Sequence, residues 1–228
     1  MLTDLRNLLR RRIDTESRGQ EPDDGFTLIE LLVSMGIFAV ILTIFMAAVA
    51  QMSKDTIRVS NTQAGQDELT RAYNRLDHSL RYAEAVNYPV LSASNNWYLE
   101  YLTTATSNGQ PDFCTQYQLN STADTLAYRT WTDGTLATLS GWTVTASRMI
   151  NSPIVAGQQP FTLIPAGGIY RNQSVQILLM TQNGGSAVQQ LNTTIVAVNS
   201  SGDSLSNVAA ATVPVTSLTP VCTGITEP

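Results

Sequence analysis

Apolar residues are densest between Phe26 and Met52, FTLIELLVSMGIFAVILTIFMAAVAQM, a run of 27 positions with one charge, Glu30. At about 1.5 Å per residue, a helix of that length is about 40 Å long, enough for a hydrocarbon core of about 30 Å. The pattern predicts a membrane-spanning helix. From Ser53 to about Val86 the helical spacing persists but becomes one-sided. Leu69, Leu76 and Ala83 lie seven apart, with Tyr73 and Leu80 between them at spacings of three and four, which makes one apolar stripe. Arg71, Arg75, Asp77, Arg81 and Glu84 fall on other faces. No proline stands between Pro22 and Pro89, so one helix of about 60 residues, roughly 90 Å long, is allowed. Gly65 is its weakest point.

Beyond Val86 the pattern turns to β. Trp97–Thr103 (WYLEYLT), Phe113–Leu119 (FCTQYQL) and Thr125–Thr132 (TLAYRTWT) are rich in aromatic residues, Leu and Thr. Asn120–Asp124 is a short polar turn, so the last two read as a hairpin. Trp142–Ser147 is a further candidate strand. Ser174–Met180 and Leu191–Val198 flank a longer loop that carries Asn183-Gly184-Gly185, a second hairpin. Pro153, Pro160 and Pro165 punctuate the segment between, and the last 30 residues, rich in Ser, Thr and Ala, read as loop. The expected fold is α+β, a long N-terminal helix packed on an antiparallel β-sheet head. Its parts are residues 1–25, a polar leader; 26–52, the spanning helix; 53–86, its amphipathic outer half; and 87–228, the head.

Charge sharpens this division. Residues 1–25 hold five Arg and six acidic residues, whereas residues 86–228 hold three Arg and six acids and are otherwise rich in neutral polar groups. Such a surface suits an exported domain. A secretory signal needs an apolar stretch of about 7–15 residues and a small-residue cleavage site. Residues 1–25 contain neither, and the apolar run starts directly after Gly25. Arg10, Arg11 and Arg12 ahead of the span predict a cytoplasmic N-terminus and an extracytoplasmic head. The net charge of −5 disfavours broad phosphate neutralisation, so nucleic acid is not expected as a partner on bulk charge.

The two cysteines, Cys114 and Cys222, allow one intramolecular pairing. In an oxidising compartment a disulfide is expected between them, with two unrelated thiols as the alternative. No metal-ligand spacing is present. The one histidine, His78, stands in a helical stretch between Asp77 and Ser79 and reads as a solvated or interface residue. Lys54 and Arg58, just after the span, read as membrane-interface charges.

Gly25-Phe26-Thr27-Leu28-Ile29-Glu30, followed by LLVSMGIFAVI, resembles the signal of type IV prepilins, shared by type IV pilins, type II secretion pseudopilins and competence pseudopilins. The resemblance is strict from Gly25 to about Ala50 and only architectural beyond. It implies cleavage between Gly25 and Phe26 by a prepilin peptidase, N-methylation of Phe26 and assembly with other pilins through the N-terminal helix. The residues make physical sense of this. Gly25 has no side chain to block a protease. Glu30, an acid inside an apolar span, marks a functional site that needs a partner. In this family the partner is the N-terminal amine of a neighbouring subunit, and the pairing offsets desolvation and fixes register. Ser34, Gly36, Ala39, Ala47 and Ala48 allow close helix approach.

Many major pilins carry a helix-breaking proline within the span, which this chain lacks, and the head is larger than many major-pilin heads. Both features resemble minor pilins and pseudopilins. The implied fate is a single-pass membrane protein of the inner or cytoplasmic membrane, later part of a filament at the cell surface or in the periplasm. Two other classes compete. A tip-binding module, an adhesin or DNA-capture head on the same anchor, would need a receptor site, for instance an exposed patch of Trp97, Trp131 or Trp142; these read better as core. An exported enzyme has no nucleophile elbow, Cys/His pair or phosphate loop to support it. No cofactor and no catalytic residue is expected.

Overall fold

Residues 25–104, 111–211 and 215–222 are described by a computed structural model; leader residues 1–24 lie outside it. The apolar run and the stripe after it form one helix, α1 (Leu28–Leu80). The chain divides into two compact units, Met1–Lys54 and Asp55–Pro228. In the first, the helical residues from Leu28 onward are exposed and mostly apolar. In the second, Gly65, Leu69, Ala72, Leu76 and Leu80 are the buried positions of α1. They recur every three or four residues, the one-sided pattern of a helix that rests on a core.

The helix stops at Leu80, short of the expected Val86. Ala83 is buried as the stripe requires, but it lies past the helix. There the backbone finds better partners in the sheet. The Glu84 amide donates to the Leu102 carbonyl at 2.9 Å. Ala85–Val86 forms strand β1, antiparallel to β3 (Trp97–Thr103), and Pro89 forbids further helix. Strand β2 (Val90–Leu91) also pairs with β3. With β4 (Phe113–Asn120), β5 (Thr125–Thr132) and β6 (Thr143–Ser147) they make an antiparallel sheet ordered β1-β3-β4-β5-β6. A second antiparallel sheet has the order β7-β8-β9, from Phe161–Ile164, Ser174–Thr181 and Gln189–Val196. Strand β7 was not anticipated. It is four residues long between Pro160 and Pro165, a placement an edge strand tolerates.

Both sheets share one apolar core with the helix stripe. Leu99, Tyr101, Tyr117, Leu119 and Leu126 come from the first sheet, and Phe161, Val175, Ile177, Leu179 and Ile195 from the second. Gly65 is a point of close approach. A Cβ there would stand 3.4 Å from side-chain carbons of Thr181 and Gln189, where β8 ends and β9 begins. In the loop joining those strands, Gly184 has φ +53°, and a Cβ would meet the Asn61 amide nitrogen at 2.5 Å. The left-handed backbone favours glycine there, and a larger residue would also have to displace the end of the Asn61 side chain.

The outer edge of β1 is satisfied by side chains. The buried Gln173 amide accepts from Val86 N at 2.9 Å and donates to Val86 O at 3.1 Å. Ser206 Oγ donates to the same carbonyl at 2.7 Å. Asn87 exchanges two hydrogen bonds with the backbone of Val221, each 2.9 Å. This amide seam ties the first sheet to the loop before β8 and to the C-terminal tail.

Candidate functional site

The residues singled out by the sequence fall in two places, the start of α1 and the outer face of the first sheet. At the start of α1, Gly25, Phe26 and Thr27 are non-helical and exposed. A side chain at Gly25 would meet nothing within 4 Å, so its glycine answers no packing need among the described residues. Phe26 is 82% exposed. Thr27 caps the helix: its carbonyl accepts from Leu31 N at 3.2 Å, and its Oγ1 accepts from Glu30 N at 3.3 Å. Glu30 sits in the first turn, where a carboxylate is favoured by the partial positive charge of the helix N-terminus. The Glu30 carbonyl accepts from Ser34 Oγ at 2.7 Å. Among the described residues no cation pairs with the Glu30 carboxylate, whereas Asp77 pairs with Arg81 and Glu68 with Arg148.

The helix that follows cannot bury itself. Leu28, Ile29, Leu32, Ile37, Phe38, Ile41, Ile44 and Phe45 are all more than half exposed. The 18-residue window that meets the length and composition of a membrane span has a mean hydropathy of 2.6, with none of it buried. Leaving each such side chain in water forgoes about 1.5–3 kcal/mol, so the surface must be covered by lipid or by other helices. Residues 23–46 match the family model of the prokaryotic N-terminal methylation motif. The chain carries the class III signal peptide of type IV prepilins and pseudopilins. No curated protein and no solved structure matches the chain, and the motif stops at residue 46, so it speaks for the anchor and not for the head.

The motif marks a pilin-like precursor of the kind that prepilin peptidase processes and that assembles with other pilins. Together with the motif, the apolar helix gives a membrane anchor, and among the described residues it is the one helix long and apolar enough to span a bilayer. Thr27 is a site residue beyond those expected from the sequence, and its signal there is the capping-box spacing Thr27-x-x-Glu30.

In the head, Cys114 and Cys222 form a disulfide with Cα atoms 5.6 Å apart, closing 108 residues of sequence separation. It sits in a small second core on the outer face of the first sheet, with Ala85, Trp131 and Val221 and with Leu102 packed against it. The register places Leu102 beside Cys114 and Cys114 beside Trp131. Trp97 and Trp131 are buried as expected. Trp142 is not: it is 39% exposed, with the Arg129 guanidinium 4.4 Å from its ring centroid. It precedes β6, the last strand of the first sheet, and its ring is only partly covered, by Arg129 and by Tyr98 at 6.4 Å between ring centroids. His78 lies in the last turn of α1, edge-on to Tyr82 at 6.3 Å. Burial pushes the Tyr117 phenol up to about 12, and Tyr101 well above its ordinary value for the same reason. These rings belong to the core.

Proposed function

We propose that this prepilin is a minor pilin or pseudopilin, cut between Gly25 and Phe26, methylated at the new Phe26 amine, and built into or priming a type IV pilus-like filament through Glu30. The observation that carries the reading is the methylation motif lying across the border where a polar leader meets an apolar helix. Three features support the details. Gly25 is free of any packing role, Phe26 is held clear of the helix, and Glu30 lacks a cation among the described residues. An N-terminal ammonium from a neighbouring subunit fits that carboxylate. The minor role is supported by the uninterrupted span and by a head with two sheets.

The same anchor could instead carry a binding head for an adhesin or DNA-capture role. Two observations favour keeping that reading. A cavity of about 250 Å³ on the head is lined by Asn87, Tyr88, Tyr98, Glu100, Thr216 and Ser217, with Val90 and Pro220. Ile169 is 88% exposed on a turn closed by hydrogen bonds of 2.7 and 2.9 Å between Gly167 and Tyr170.

The test of assembly is Glu30→Val. Removing the acid makes membrane insertion easier. A neighbour's ammonium left buried without its counter-ion costs about 3–5 kcal/mol, more than two decades in association. The variant is expected to be membrane-bound and cleaved, yet depleted at least tenfold from sheared filaments and from co-isolated partner pilins. Normal incorporation would reject charge pairing.

A further inference from the structure

The bond proposed for cleavage lies just ahead of a helix, and one side chain fixes where that helix begins. Thr27 caps α1 through its carbonyl and its Oγ1, so helical residues start at Leu28 and the Gly25–Phe26 peptide stays in open, exposed chain. The sequence also holds rivals for this cap. Asp23 and Asp24 stand four and three residues upstream of Thr27, and aspartate caps at least as well as threonine. A helix capped by Asp24 would take Gly25, Phe26 and Thr27 as its first three residues and wind the scissile peptide into its first turn. Helical winding folds the backbone on both sides of a bond into one coil. A peptidase that must lay that backbone along its own cleft would then have to unwind it.

We infer that Thr27 is a positioning residue for processing: by out-competing Asp23 and Asp24 as the helix cap, it keeps the Gly25–Phe26 bond outside the helix and open to the peptidase. The inference rests on the processing reading above. It gives Gly25 a second task beside steric access, because glycine also resists being drawn into a helix. It also ties the helix start to Glu30, whose amide nitrogen is the group Thr27 holds.

Single-turnover cleavage of the full-length chain by prepilin peptidase, in membranes or detergent, tests this. Thr27→Ser and Thr27→Asn keep a capping oxygen. Thr27→Val keeps the shape of threonine and removes the oxygen. Loss of a cap corresponds to roughly fivefold, within a range of about two- to thirtyfold. The expected result is therefore near-normal cleavage for Thr27→Ser and Thr27→Asn, and cleavage slowed about fivefold for Thr27→Val. The same Thr27-to-Val comparison, made with Asp23 and Asp24 both changed to Ala, should bring the two rates together, because no rival cap remains. Thr27→Val cleaved as fast as the parent would overturn the inference, as would Thr27→Asn as slow as Thr27→Val, or a Val deficit untouched by removing both aspartates. Failure of the underlying reading looks different: the unaltered chain is not cut after Gly25, or Gly25→Val is cut at the parental rate.

Discussion

Replacing Gln173 by leucine isolates the amide seam that joins the two sheets of the head. Gln173 and Val86 are both wholly buried. In the parent, Val86 N and Val86 O bond to the two ends of the Gln173 side-chain amide at 2.9 and 3.1 Å. Leucine is similar in size and offers neither partner. Ser206 still reaches Val86 O, but Val86 N is left bare. One orphaned buried group costs about 1–3 kcal/mol, and the carbonyl loses one of two bonds worth about 1 kcal/mol. Extra apolar burial by leucine returns about a third of that sum by area. The net expectation is destabilisation of about 2 kcal/mol, which for a domain of this size lowers Tm by roughly 4–8 °C. Near-UV circular dichroism during a thermal ramp, on the full chain in detergent, reads it. Gln173→Glu is the companion variant. Only its protonated carboxyl can donate to Val86 O, so this variant should recover stability as pH falls toward about 4 and lose it as pH rises. A leucine variant melting within about 1 °C of the parent would refute the assignment of the seam as the partner of β1.

Two further predictions concern the head. Cys114→Ser with Cys222→Ser should cost about 2–5 kcal/mol and loosen the tail around Val221, seen as a lower Tm and a red-shifted Trp emission as Trp131 becomes wet; unchanged emission and Tm would show that the second core stands without the disulfide. Alkaline pH should destabilise the head between pH 10 and 12. Unfolded tyrosine ionises near 10, whereas Tyr117 is held protonated to about 12, so the unfolded chain loses its proton first and stability, complete below pH 10, falls by roughly 3 kcal/mol across that interval. Thermal melts with tyrosinate absorbance check this; Tyr117→Phe should remove its share of the loss, and the part that remains belongs to Tyr101, which burial shifts in the same direction.

The parts that could be read from sequence are those held by local pattern. Strands β3 and β5 lie where WYLEYLT and TLAYRTWT place them, because aromatic and β-branched residues suit a half-buried pleat. The helix was legible through its stripe, and the second hairpin through Asn183-Gly184-Gly185. The misses are matters of competition and distance. Ala83 keeps the helical spacing of the stripe yet lies outside the helix, because Leu102 offers its carbonyl to Glu84. Strand β7 is too short to show a period between its two prolines. The seam joins Val86 to Gln173 and Asn87 to Val221 across separations of 87 and 134 residues, and no local signal marks an amide that will serve as a neighbouring strand. At the functional end, Gly25, Phe26 and Glu30 stood out because a polar–apolar border and a lone acid are visible in one dimension. Thr27 did not, because its role lies in a cap whose meaning depends on where the helix chooses to start.

The most direct test of the central claim is the N-terminus of the protein extracted from membranes of a cell that has prepilin peptidase, read by N-terminal sequencing together with intact mass. The account predicts a chain that begins at Phe26, with the 25-residue leader gone, and full-length accumulation when Gly25 is changed to Val. A mature protein that keeps residues 1–25, or a Gly25→Val chain processed like the parent, would contradict it.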